Sequence, residues 1–262
     1  MSAPARSRSL GILRLGRAAG AATLLLATQV AISLAESDRA PVYVERAVPD
    51  GGALTGTVRG AAPAVPDADA IVNKDPGVCG DRKPSEALIR AADGALKNAV
   101  VFIQGIAGGK SIDRSVNLQL DNHACGFSPH VLAIVVGQRL TISNSDPVLH
   151  NAHAYLGGTE TIFNVALPVQ NQRVSKTIRR PGLMRVQCDA GHSWMVAWIY
   201  AFDHPYFAVT DERGSFRIEK VPPGAYRVTA WQEELGTETQ EVTLAAGETP
   251  SLTFEHLARQ AP

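Results

Sequence analysis

The chain holds 262 residues, room for one large or two small domains, and 45% of them are hydrophobic against 19% charged. Those proportions are ordinary for a globular protein and argue against a disordered chain, a collagen-like repeat or a multi-pass membrane protein. Lys and Arg number 25, as do Asp and Glu, so the basic footprint needed to bind phosphates is missing and nucleic acid is not an expected partner.

Residues 1–35 come first. They carry Arg6, Arg8, Arg14 and Arg17 but no acid, then an apolar run through Leu24, Leu25, Leu26 and Val30 that closes on Ser33-Leu34-Ala35. This is the layout of a secretory signal peptide with a small-x-small cleavage site. Thr23, Thr28, Gln29 and Ser33 interrupt a run already short for a bilayer span. The expectation is a periplasmic or secreted protein with no membrane span after signal cleavage. Its mature part carries 21 bases against 25 acids.

Beyond Pro41, Pro and Gly punctuate short β-branched runs, and no helical period is sustained. The expected class is all-β. Strands are predicted over 53–58, 99–104, 115–120, 131–136, 139–143, 173–178, 183–187 and 196–201, then 207–210, 215–218, 225–231, 239–244 and 251–256. The stretch 61–81, rich in Ala, Pro, Asp and Gly, reads as a long loop. One short helix is predicted near 85–92, and Glu233 and Glu234 read as a solvated turn.

The last block alternates polar and apolar residues most cleanly. Thr210-Asp211-Glu212-Arg213-Gly214-Ser215-Phe216-Arg217-Ile218 reads as a Gly-closed hairpin turn, and Val221-Pro222-Pro223-Gly224-Ala225-Tyr226-Arg227-Val228 as a second turn leading into a strand. The block resembles the carboxypeptidase regulatory-like domain, a transthyretin-like β-sandwich used for structure or adhesion, but is short for it. The 52–58 and 96–103 stretches resemble that family's first two strands. The organisation expected is therefore a signal peptide at 1–35, a β segment and loop at 36–112 that shares the C-terminal sandwich, a separate block at 113–203 set between its parts, and the regulatory-like domain proper at 204–257.

The inserted block carries the chemistry. Between two predicted strands lies Cys188-Asp189-Ala190-Gly191-His192-Ser193-Trp194-Met195, a tight loop offering a thiolate, an imidazole and a thioether. With one more imidazole these make the ligand set of copper electron-transfer sites. His150 is the candidate, delivered by the turn-rich link Asn144-Ser145-Asp146-Pro147-Val148-Leu149. His153, three residues on, faces the other way in an extended strand and is the substitute ligand if the register is shifted. Zinc would prefer another nitrogen, thiolate or carboxylate to a thioether.

Residues 137–151 followed by 182–195 resemble the cupredoxin pattern of plastocyanin and its relatives. The loop spacing is nearest to the copper A domain of cytochrome oxidase subunit II, but Met184 stands where that domain has its second Cys. The resemblance implies a Greek-key sandwich and one mononuclear blue-copper ion held by His150, Cys188, His192 and Met195. It also implies a hydrogen bond from Asn151 near the thiolate strand.

With Cys188 assigned to metal, Cys79 and Cys125 remain as a disulfide pair for an oxidising compartment. Gly105-Ile106-Ala107-Gly108-Gly109-Lys110-Ser111 imitates a phosphate loop, but its first Gly is one residue too close to the Lys. No Gly-x-Ser-x-Gly elbow occurs and no helix carries paired acids. The expectation is a protein that is not an enzyme and passes single electrons to a redox protein partner the sequence does not identify. Trp194 and Trp198 are candidates for the docking surface. The alternatives are a copper carrier or storage protein, and an adhesion module with a vestigial metal site.

Overall fold

The computed structural model describes residues 42–60, 69–87, 91 and 93–257. The signal-peptide reading lies outside them, and no helix among the described residues is long and apolar enough to cross a membrane. The chain is all-β, as expected, and builds two sandwiches.

The first sandwich stacks a four-stranded sheet on a five-stranded one. The smaller runs in the order Arg173–Thr177, Arg139–Asn144, Asn117–His123, Gly126–Ser128, and the larger in the order Glu160–Leu167, His150–Leu156, Gly182–Gln187, Val196–Phe202, Val131–Val135. Arg139–Asn144 pairs in parallel with Asn117–His123, and Val196–Phe202 with Val131–Val135; the other neighbours are antiparallel. Period-two alternation fills the space between the sheets. Ala197, Ile199 and Ala201 point inward from one strand, Met184 and Val186 from the next, Ala152 and Ala154 from a third.

The second sandwich draws on both ends of the described chain. Gly52–Val58 pairs antiparallel with Ser215–Val221 and parallel with Ser251–Phe254, while Val100–Ile103 lies between Phe207–Val209 and Gly224–Gln232, which pairs on to Gly236–Leu244. Its core holds Leu54, Val58, Val101, Ile103, Tyr206 and Phe254. Tyr206 is fully buried yet satisfied, its hydroxyl accepting from Lys110 N at 2.7 Å and donating to Lys220 O at 3.0 Å.

An aromatic seam joins the two. The strand Val196–Phe202 sends Trp198, Tyr200 and Phe202 outward, against Val100, Phe102, Phe207 and Trp231 of the second sandwich. Ring centroids of Trp198 and Trp231 are 5.5 Å apart, and those of Phe202 and Phe207 4.7 Å apart. Trp198 thus belongs to the seam, its indole N–H donating to Glu233 at 2.5 Å. The reading of Glu233 as solvated is corrected here: its side chain is 7% exposed and also meets His130.

Two further local expectations fail. Residues 85–87 and 91 are not helical and the rest of the 85–92 stretch lies outside the described residues; among those described, a short helix is Pro76–Cys79, inside the stretch read as loop. The hairpin His150–Leu156 with Glu160–Leu167 carries no predicted strand: Asn and Ala weaken the signal in the first, whereas the second holds Thr161, Ile162, Phe163 and Val165, a strand signal the sequence reading passed over. Its signal was the Gly157-Gly158 pair, whose φ of 59° and 80° makes the turn.

The strands Ala70–Ile71 and Arg82–Lys83 pair antiparallel and close a strap that includes Pro76–Cys79. Cys79 is disulfide-bonded to Cys125, the pairing expected from the sequence, and the bond ties the strap to the first sandwich.

Candidate metal centre

Strand parity places the site. Met184 and Val186 face the core from Gly182–Gln187, so Cys188 continues on the inward face just past the strand end, and it is buried. His150 opens its strand on the same face as Ala152 and Ala154 and is fully buried. The loop after Cys188 turns back at Gly191, whose φ of 99° favours glycine, and delivers His192 with no exposure. Ligand atoms of His150, Cys188 and His192 all lie within 4.8 Å of one another. Met195 is 1% exposed, packs in the same core as Cys188, and donates its backbone N–H to His192 O at 3.0 Å.

His153 lies on the opposite face. Its ring meets Asp189 at 2.5 Å, the Tyr155 hydroxyl at 2.6 Å and Thr161 at 2.8 Å. The structure thus brings together three of the four expected ligand side chains around one point and turns the substitute ligand away from it. Cys125, Asp146 and His150 also crowd together, but the Cys125 sulfur is held in the disulfide.

Both imidazoles are held at their outer nitrogen by a carboxylate. Asp146, buried, accepts Ala124 N–H and Cys125 N–H at 2.8 Å each, and its Oδ2 lies 2.9 Å from His150 Nε2. Asp75, from the strap, places Oδ2 3.0 Å from His192 Nε2. An ionised carboxylate only accepts, so each Nε2 carries a hydrogen, and in the neutral ring that leaves Nδ1 as the lone-pair donor to a metal. His192 Nδ1 is 3.6 Å from the Cys188 sulfur, and His150 Nδ1 is buried with no hydrogen-bond partner. Leaving such a nitrogen unsatisfied costs about 1–3 kcal/mol. This orphaned atom, beside a buried thiol and a second imidazole nitrogen that meets that thiol, fits a metal ligand, and the carboxylate–imidazole arrangement is the usual outer support of one.

The sulfur is supported too. Asn151 N–H points at Cys188 Sγ at 3.4 Å, and the Asn151 side-chain oxygen accepts Asp189 N–H at 3.2 Å, locking the two strands at the site. Burial pushes the Cys188 thiol up, against backbone N–H groups of Ala190, Asn151 and His192 that favour the thiolate. Burial first, and then the neighbouring His192, lower the His150 pKa and outweigh the Asp146 carboxylate, which acts upward, so the balance favours a neutral ring. For Asp75, desolvation acts upward, but hydrogen bonds from Lys74 and His192 prevail and the carboxyl lies below its ordinary value.

Sequence reasoning missed both carboxylates. Asp146 was within reach, four residues before His150 in the turn that delivers it. Asp75 is 117 residues from His192, and nothing in the loop around it signals the contact. Trp194, half-buried, donates its indole N–H to Cys125 O at 2.9 Å beside the disulfide.

Comparison with known proteins adds two kinds of likeness. Residues 189–252 match the family described as polysaccharide lyase family 4, domain II. Rhamnogalacturonate lyase A from Aspergillus niger is 36% identical over 63 residues, 24% of this chain and 12% of that protein; a probable rhamnogalacturonate lyase A from the same species matches to the same extent. The chain therefore spans about 12% of the length of these relatives. Two expectations are corrected here. Over residues 189–252 the family model that matches is the lyase domain rather than the carboxypeptidase regulatory-like one, and the expectation that the protein is not an enzyme is contradicted by this partial match to an enzyme family.

Among solved structures, neighbours include a novel purple cupredoxin from Nitrosopumilus maritimus, at 26% identity and a TM-score of 0.29, covering 32% of this chain and 99% of that one. A Cu-containing nitrite reductase from Thermus scotoductus SA-01 follows at 22% and 0.31, covering 37% of this chain and 24% of that one. Amicyanin from Paracoccus versutus stands at 15% and 0.29, covering 33% and 81%.

Proposed function

We propose that the first sandwich is a one-electron carrier holding a single copper ion through His150, Cys188 and His192, with Met195 as the weaker fourth donor. The observation that carries this reading is the buried His150 Nδ1, unpartnered, in a cluster with a buried thiol and a second imidazole whose outer nitrogen is likewise tied to a carboxylate. Copper bound there would supply a one-electron couple, since a thiolate, two imidazoles and a thioether suit both its oxidation states. The chain's own residues would do the rest. Asp146 and Asp75 fix the imidazole rings, Asn151 holds its N–H on the sulfur, and the closed sandwich keeps water out, so little need rearrange when the charge changes.

The domain reading that goes with it treats 113–203 as a cupredoxin domain set into the second sandwich, whose strands come from before and after it. Export through residues 1–35 suits a chain with the Cys79–Cys125 disulfide. The rival is a copper carrier. Four donors between 0% and 5% exposed, two of them braced by carboxylates, favour retention over rapid exchange.

The test is repeated reduction and reoxidation of the copper-loaded protein in the presence of a strong copper(I) chelator. The expected result is full recovery of the oxidised form over many cycles. Quantitative loss of copper to the chelator within the first reduction would favour a carrier and contradict electron transfer.

A further inference from the structure

The strap, which lies between two strands of the second sandwich in sequence, is tied by its disulfide to the first. It runs from Ala70–Ile71 through Pro76–Cys79 to Arg82–Lys83 and is held at three points: its own strand pair, the Cys79–Cys125 disulfide, and a hydrogen bond from Lys83 to Ala124 O at 2.6 Å. At its apex sits Asp75 with φ 49° and ψ 48°, a left-handed conformation that Asp and Asn tolerate better than most residues. Asp75 O also accepts the N–H groups of Val78 and Cys79 at 3.0 and 2.9 Å. The short turn that carries the cysteine thus also fixes the backbone of the aspartate.

From this apex the carboxylate reaches His192 Nε2, and the Lys74 side chain lies over Gly191 while its ammonium stands 3.4 Å from Asp75 Oδ1. His192 is fully buried as a result, although it sits in a loop at the end of the sandwich. A carboxylate on the outer nitrogen of a ligating imidazole fixes the ring's orientation, sets its tautomer and makes it a stronger donor.

We propose that Asp75 is a positioning residue of the metal centre, brought to His192 by the disulfide-anchored strap, and that it tightens binding of oxidised copper and lowers the reduction potential. This rests on the copper reading above. A negative charge fixed near the metal favours the higher oxidation state, and a stiffly held imidazole slows metal loss. The disulfide serves this arrangement by keeping the strap seated over the loop.

The experiment compares copper-loaded wild type with Asp75→Asn, Asp75→Ala and the double variant Cys79→Ser/Cys125→Ser, each checked for folding by circular dichroism. Three quantities are read: the midpoint potential, the copper hyperfine coupling in electron paramagnetic resonance, and the rate of copper loss to a chelator. Asp75→Asn keeps a hydrogen-bond acceptor of nearly the same shape and tolerates the same backbone conformation, so it isolates the charge. Its potential should rise; a tenfold weaker preference for oxidised copper corresponds to ~59 mV for one electron. Asp75→Ala should lose copper about 10–100-fold faster, in line with the usual cost of removing an outer support of a ligand. The disulfide variant should move potential and loss rate in the same directions.

Wild-type values of all three quantities in Asp75→Asn and Asp75→Ala would overturn the role of Asp75 while leaving the copper site intact. A wild type that forms no thiolate–copper complex would overturn the copper reading and this role with it. If Asp75→Ala does not fold, the Asp75→Asn potential and hyperfine coupling decide.

Discussion

Cys188→Ser is expected to abolish the visible absorption of the copper-loaded protein completely. The change is nearly isosteric, so the fold should survive. Asn151 N–H would then point at a hydroxyl instead of a sulfur. What disappears is the soft, easily ionised donor: a thiolate gives intense charge transfer to copper(II), and an alcohol does not ionise near neutral pH. Absorption titration with copper(II) checks this, and a variant that keeps the wild-type band would show that Cys188 is not the source of the colour. Because burial raises the thiol pKa, copper uptake by the wild type should also release a proton from this side chain.

The second large effect separates two histidines on one strand. His150→Ala removes a buried imidazole and leaves the buried Asp146 carboxylate without its ring partner, so copper affinity should fall by more than the ~10–100-fold typical of losing an outer support. His153→Ala breaks contacts with Asp189, Tyr155 and Thr161 on the other face, at a stability cost of about 1–3 kcal/mol, and should keep the colour. Parallel copper titrations of the two variants decide. If His153→Ala bleaches the protein and His150→Ala does not, the ligand on this strand has been misassigned.

Much of this contrast was legible in the sequence, because alternation in a strand is a strict geometric rule. His153 stands three positions beyond His150, so an extended chain must send them to opposite faces, and Cys188 falls two positions beyond Val186, which is in the core. The all-β class and most strands followed from β-branched runs cut by Pro and Gly. The disulfide followed from the count of three cysteines once one was assigned to metal.

The rest was hidden for identifiable reasons. The strand that carries His150 opens with His150-Asn151-Ala152-His153-Ala154, a run with no β-branched or aromatic strand former, and holds its place through pairing with Glu160–Leu167 and Gly182–Gln187. Glu233 looked like a turn acid because its burial depends on Trp198, which reaches it from the other sandwich. Asp75 lies in a Pro- and Gly-containing stretch whose local chemistry says only that the chain turns. Its contact with His192 exists because a disulfide 46 residues long in sequence folds that stretch back over the metal loop.

The central claim, that this sandwich holds copper through a thiolate and two imidazoles, is tested most directly by titrating the metal-free wild-type protein with copper(II) while recording visible absorption and electron paramagnetic resonance together. The expected result is an intense charge-transfer band that saturates at one equivalent, with the small parallel hyperfine splitting of a covalent copper–sulfur bond. A colourless complex at one equivalent, or no saturable binding, would contradict it.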